Sequence, residues 1–337
     1  MVEIERKSKG RDVAFREFAR RVFRHENAVL AIILVVIIAV LAVMSKGRTV
    51  SAQNVSNVVL QSSMLGIASV GQTFVILSGG IDLSLGGIGL MSAVLGGTLM
   101  TTDPTTSLLG YPLAIGVAIP IMLLLGTGIG SANGMAVRSI GMPPLIVTLA
   151  MLEMTTGGAY LLSHGYFITG LPRALSFFGQ AEVAGIPVPT IMFIAVAAVS
   201  YFVLYYTPFG RYVYATGGNP VSAWLSGVNV KRTQFSVYAI AGFLAALSAV
   251  VAIGRTLSAS MVALTGLELH SIAAVVIGGV SLMGGRGTLI GAVIGVIILG
   301  VISNGMNILA VDPAFTHVIE GGIVFAAVAV DYTRRRG

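Results

Sequence analysis

The chain has 337 residues, of which 55% are hydrophobic and 10% charged, with 43 glycines, no cysteine and a formal net charge of +7. A soluble globular chain carries roughly a quarter charged residues, so this composition belongs to the membrane class, where small residues let helices pack closely. Without cysteine neither a disulfide nor a thiolate metal site can form, and the excess bases cluster at chain ends and short loops, a topology signal rather than a nucleic-acid footprint.

Residues 1–27 form a basic arm, with Arg6, Lys7, Lys9, Arg11, Arg16, Arg20, Arg21 and Arg24. Phe15, Phe18, Val22 and Phe23 alternate with its arginines as on a helix lying on a lipid surface. A flexible arm that only orients the chain is the other reading. From residue 28 onward, apolar runs of about 20 residues predict an all-α integral membrane domain, 28–337, of about ten spans. These are Ala28–Met44, Ser56–Leu77, Leu83–Met100, Tyr111–Ser131, Leu145–Ser163, Val188–Tyr206, Phe235–Ile253, Glu268–Met283, Thr288–Leu309 and Phe315–Tyr332. The first lacks a cleavage signal and reads as an uncleaved span. Ten spans put both ends in the cytoplasm of an inner-membrane protein. All the lysines and arginines then lie inside except Lys46, Arg48, Arg173 and Arg255, as the positive-inside rule requires.

Two stretches repeat each other. Gly128–Met135 reads GIGSANGM and is followed by Pro144, Glu153 and Gly157-Gly158; Gly300–Met306 reads GVISNGM and is followed by Pro313, Glu320 and Gly321-Gly322. An odd number of spans separates the copies, so spans 2–5 and 7–10 form an inverted repeat. Transporters of this architecture carry their pathway near the midplane between the halves.

Acids inside spans are costly and face a cavity or a partner. Glu153 and Glu320 occupy the repeated position, and both are expected to face the pathway or to bond a neighbouring helix. Asp82 and Glu268 begin spans three and eight after glycines, where an acid satisfies free N–H groups; with Ser84 they are expected to cap broken helices. Asn133 and Asn304 are expected to close helix ends through left-handed turns, although their amides also suit a polar substrate. Gln72 supplies a paired donor and acceptor of the kind a neutral polyol needs. No metal-ligand spacing and no nucleophile–base pair appears, which argues against an enzyme.

The longest polar connection is 207–234. Within it Asn219 can cap a short helix, Pro220 fits its first turn and Gly227 permits a left-handed exit. Such a helix displays Val221, Trp224 and Leu225. The sole tryptophan of the chain, placed in a loop, points to a docking surface; resting at the lipid headgroups is the plainer alternative.

Three segments carry a family resemblance: Gly71–Gly87 (GQTFVILSGGIDLSLGG), Gly210–Leu247 (GRYVYATGGNPVSAWLSGVNVKRTQFSVYAIAGFLAAL) and Gly266–Leu309 (GLELHSIAAVVIGGVSLMGGRGTLIGAVIGVIILGVISNGMNIL). Together they resemble permease subunits of ABC sugar importers of the ribose/xylose/galactose type. The resemblance implies a ten-span permease that pairs with itself or a paralogue, works with a cytoplasmic ABC ATPase and a periplasmic sugar-binding protein, and uses Asn219–Gly227 as its coupling helix. His270 and Glu153 depart from the pattern expected of the family. The missing G-x-x-x-x-G-K-[ST] phosphate cradle agrees with ATP being used by the partner, leaving this chain without a cofactor. A proton-coupled secondary transporter and a permease for branched-chain amino acids are the alternatives.

Overall fold

The computed structural model describes residues 26–333, so residues 1–25 of the basic arm, with Phe15, Phe18, Val22 and Phe23, and the terminal arginines lie outside the described residues. Among them are α1 (Glu26–Met44), α2 (Ala52–Leu77), α3 (Leu85–Met100), α4 (Ile115–Met135), α5 (Pro144–Ser163) and α6 (Val188–Tyr206). After these come α7 (Pro208–Gly218), α8 (Pro220–Leu225), α9 (Val230–Thr256), α10 (Leu267–Ile277), α11 (Leu289–Ile308) and α12 (Pro313–Thr333). A short hairpin, Glu182–Val183 with Ile186–Pro187, is the only sheet among the described residues.

Seven of these helices, α1, α2, α4, α5, α6, α9 and α11, are long and apolar enough to cross a membrane. The tenth expected span, α12, is not among the seven, and the third and eighth differ in length. Helix α10 has only 11 residues, a rise of about 16 Å against a hydrocarbon core of about 30 Å. It stops because Gly278 and Gly279 follow, and Gly279 turns at φ 81°. Helix α3 has 16 residues and begins only after a turn at 78–84.

The inverted repeat is visible in the packing. Helix α2 lies on α11 as α9 lies on α4, α3 on α5 as α10 on α12, and α3 on α9 as α10 on α2. The two symmetry-related helices α2 and α9 pack on each other at the centre. Small residues make this possible. Gly126, Gly130 and Gly134 form one stripe of α4, and a Cβ on Gly126 would lie 2.5 Å from Gly242 O of α9. Backbones therefore touch directly, as glycine-spaced stripes allow in lipid.

On one face the loops are sewn together. Thr101 Oγ1 donates to Thr169 O at 2.6 Å, and Ile168 and Ala259 exchange N–H···O bonds of 2.9 Å. Helices α7 and α8 lie with loop 207–229 at the opposite face.

Candidate functional site: a broken-helix interior and an exposed loop helix

The break before α3 is held by side chains of the turn itself and of α4. Asp82, fully buried, accepts from Ser84 N at 2.8 Å and from Ser84 Oγ at 2.6 Å through Oδ1. Asn133 Nδ2 of α4 donates to Ser84 Oγ at 2.8 Å. Asp82 thus fixes the turn leading into α3 rather than capping a first helical turn, since Ser84 itself is the N-cap and makes no side-chain cap bond.

Asn133 and Asn304 correct the sequence reading. Neither lies in a left-handed turn: Asn133 is inside α4, which runs on through a π turn to Ile140 before Gly141 turns at φ 76°, and Asn304 is inside α11. Each amide instead bonds across to another element, Asn304 Oδ1 accepting from Asn54 Nδ2 of α2 at 2.9 Å. The following glycines serve close approach, not turning: a Cβ on Gly134 would lie 2.8 Å from Phe235 Cα, and one on Gly305 2.6 Å from Leu41 Cδ1.

Glu268 sits in the first turn of α10, whose N-cap is Gly266 without a side-chain cap bond. Its carboxylate rests instead against Gly86 at the start of α3. The inner ends of the two short helices, one from each repeat, therefore meet inside the bundle. Discontinuous helices whose N-termini meet in the interior are a recurring transporter feature.

Beside this junction lies a cleft of ≈ 360 Å³ with a mixed wall: polar Gln61, Ser62, Arg255, Thr265, His270, Ser303 and Glu320 stand among apolar Met64, Leu65, Leu264, Leu267 and Leu299. His270 Nε2 and Glu320 Oε2 are 3.3 Å apart. The pairing was not readable from the sequence because its members are fifty positions apart; the repeat marked Glu320 and the departure from the family pattern marked His270, but nothing local joined the two. Glu153 stands in different surroundings, exposed on α5 beside exposed Leu149 and Met154. Gln72 is fully buried in α2 and does not line the cleft; neither end of its amide finds a hydrogen-bond partner among the described residues.

The loop helix α8 is short and well defined. Asn219 Oδ1 accepts from Val221 N and Ser222 N, both at 3.0 Å, Pro220 occupies the first turn, and Gly227 leaves at φ 84°. Trp224 is 66% exposed and Leu225 72% exposed. A groove of ≈ 660 Å³ runs alongside, lined by Arg138, Pro220, Val221, Trp224, Asn229 and Lys231 among others.

A multi-pass helical bundle with an inverted repeat, broken helices meeting inside and a stiff exposed loop helix defines a membrane permease. Residues 54–328 match the family described as branched-chain amino acid transport system / permease component, and the chain belongs to that family. It is 35% identical to a ribose import permease protein of Haemophilus influenzae, over 89% of this chain and 91% of that protein. It is 36% identical to a fructose import permease protein of Rhizobium meliloti, over 93% and 88%, and 32% identical to a xylose transport system permease protein of Escherichia coli, over 90% and 92%. No solved structure matches it.

Proposed function

We propose that the chain is the membrane subunit of an ATP-driven importer of a monosaccharide, with residues 28–337 as one transmembrane domain and loop 207–234 as its contact with a cytoplasmic ATPase. The observation that carries this reading is α8, a helix capped at both ends that presents Val221, Trp224 and Leu225 to solvent. A buried aromatic anchor is the usual centre of a protein interface, and basic Arg138 and Lys231 border the groove beside it. ATP is used on that partner, and this chain holds no cofactor. The sugar relatives, matched over most of their length, favour a sugar over an amino acid.

Sugar enters from a periplasmic binding protein at the face opposite α8, and both chain ends lie on the cytoplasmic side of the inner membrane. Glu153 supports a second permease copy, or a close paralogue, against α5. A carboxylate on the outer face of an apolar spanning helix is costly against lipid and is relieved by a partner or a water-filled path. Glu320 with His270, and the cleft they share, supply hydroxyl-binding groups along that path.

Proteoliposomes holding this chain, with and without ATPase and binding protein, test the reading through uptake of labelled pentoses and hexoses. Uptake that requires both partners and ATP supports it. The His270–Glu320 pair also suits a proton relay, and uptake by this chain alone under a proton gradient would replace the importer with a secondary transporter.

A further inference from the structure

Helix α8 is joined to the bundle through α7, and α7 ends where several backbone segments meet without side chains between them. Gly217, near its end, packs directly on the carbonyl of Leu77, the last residue of α2, and a Cβ there would also lie 2.6 Å from Gly285 N. Gly285 N itself donates to Leu77 O at 2.9 Å. Gly284, at φ 86°, leaves a Cβ position 2.7 Å from Gly79 Cα and 3.0 Å from Gly217 Cα. The Cβ position of Gly285, at φ 70°, is 2.6 Å from Gly218 Cα. Two hydroxyls clamp the same loop: Tyr214 of α7 donates to Gly287 O at 3.0 Å, and Tyr205 of α6 accepts from Leu289 N at 3.2 Å.

Leu77 and Gly79 lead into the break before α3, whereas Gly284, Gly285 and Gly287 belong to the loop leaving α10. One glycine junction therefore grips both broken elements, one from each repeat, at the face that carries α8. Their inner ends touch where Glu268 meets Gly86. At the opposite face the C-terminal flank of α3 and the segment entering α10 are pinned by the Thr101–Thr169 and Ile168–Ala259 bonds. Backbone packed on backbone has few rotamers to absorb a displacement, and close-packed interiors transmit strain. Small shifts at such contacts become switches between two packings.

We propose that Gly217, Gly284, Gly285 and Tyr214 are positioning residues for energy coupling: they pass the displacement of α8 to the two broken helices together. This rests on the reading of α8 as the ATPase contact. Its specific content is that docking and transmission are separable. Damage to the junction leaves the ATPase bound and hydrolysing while sugar movement per ATP falls.

The test uses the full importer in proteoliposomes, comparing the native chain with Tyr214→Phe, which removes one hydroxyl bond, and Gly217→Ala, which forces Leu77 and Gly217 apart. ATP hydrolysis, sugar uptake and ATPase retention are measured on the same vesicles. Because the native chain has no cysteine, Thr265→Cys, exposed in the segment entering α10, reports the far end by maleimide labelling with and without ATP. The expected result is full ATPase retention, an at least threefold fall in sugar moved per ATP, and loss of the ATP-dependent labelling change in Tyr214→Phe. Native coupling ratios and labelling in Tyr214→Phe overturn the proposal, even where Gly217→Ala fails to fold. Loss of ATPase binding by Tyr214→Phe also overturns it, since the tyrosine would then shape the docking surface. Failure of the native importer to take up any sugar with ATP overturns the importer reading itself, and this inference with it.

Discussion

His270 Nε2 and Glu320 Oε2 approach to 3.3 Å and tie the short helix α10 to α12 beside the cleft they both line. The pair sits where the last helix of the second repeat faces a broken helix of the same repeat, so it can report or resist movement of α10. A hydrogen bond to a charged group contributes about 1.5–3 kcal/mol, and each 1.4 kcal/mol is about tenfold. Glu320→Gln is therefore expected to lower uptake roughly 10- to 100-fold, and His270→Gln by a similar factor. In the double variant the two losses should not add, because each single change already removes one side's capacity for charge from the shared contact. Native uptake by Glu320→Gln would return the residue to a role in packing alone.

A second expectation concerns Trp224, whose ring is exposed and makes little contribution to the bundle. Trp224→Ala should leave the melting temperature in detergent unchanged. Truncation of an aromatic anchor at the centre of an interface costs about 2 kcal/mol or more, so affinity for the ATPase should fall roughly thirtyfold. Binding measured by surface capture, alongside thermal unfolding, separates the two effects. Unchanged affinity would leave α8 as a lipid-headgroup contact.

The bundle's centre is open to a stability test. Gly242 of α9 faces the carbonyl of Gly126, and a Cβ on it would lie 3.0 Å from Gly130 Cα. Overpacking of a close contact costs about 1–3 kcal/mol. Gly242→Ala should accordingly lower the unfolding temperature of the purified permease, whereas Gly116→Ala, with open space at its Cβ, should not. Equal behaviour of the two would mean that α4 and α9 do not approach as closely as their glycines allow.

Much of this was legible in the sequence because membrane helices declare themselves locally. Apolar run length gave the seven helices long and apolar enough to cross a membrane, out of ten expected, and α8 was readable from Asn219, Pro220 and Gly227, whose capping chemistry acts within a few residues. The inverted repeat was legible because both copies kept the same small and acidic residues. What was not legible depends on distant partners. An Asn-Gly pair reads as a turn, yet Gly134 and Gly305 are there to admit Phe235 and Leu41, so the helices continue and the asparagines bond sideways. The glycines around Gly217 and Gly285 looked like loop punctuation until the fold brought them together. Hydropathy alone likewise could not tell a spanning helix from two short ones whose ends meet inside.

Glu153 gives the last prediction. It lies on α5 between exposed apolar residues, with Leu149 on one side and Met154 on the other, so its carboxylate is flanked by exposed apolar side chains. Against lipid such a group costs at least about 2.5 kcal/mol at mid-membrane, which disfavours lipid as the neighbour and favours a second permease chain. A single cysteine placed there is the only thiol in the molecule. If two copies pack along α5, Glu153→Cys should form a disulfide-linked dimer on mild oxidation in native membranes, whereas Phe202→Cys, on the exposed face of α6, should remain monomeric. Dimer formation at Phe202→Cys but not at Glu153→Cys would move the interface to α6. A paralogous partner would instead give a mixed species of different mass only when both permeases are co-expressed. Because the carboxylate is retained in Glu153→Asp and lost in Glu153→Leu, comparing uptake by these two then separates its effect on the pathway from its effect on association. Dimers formed by both variants, with impaired uptake only in Glu153→Leu, would place the charge beside the path between the copies.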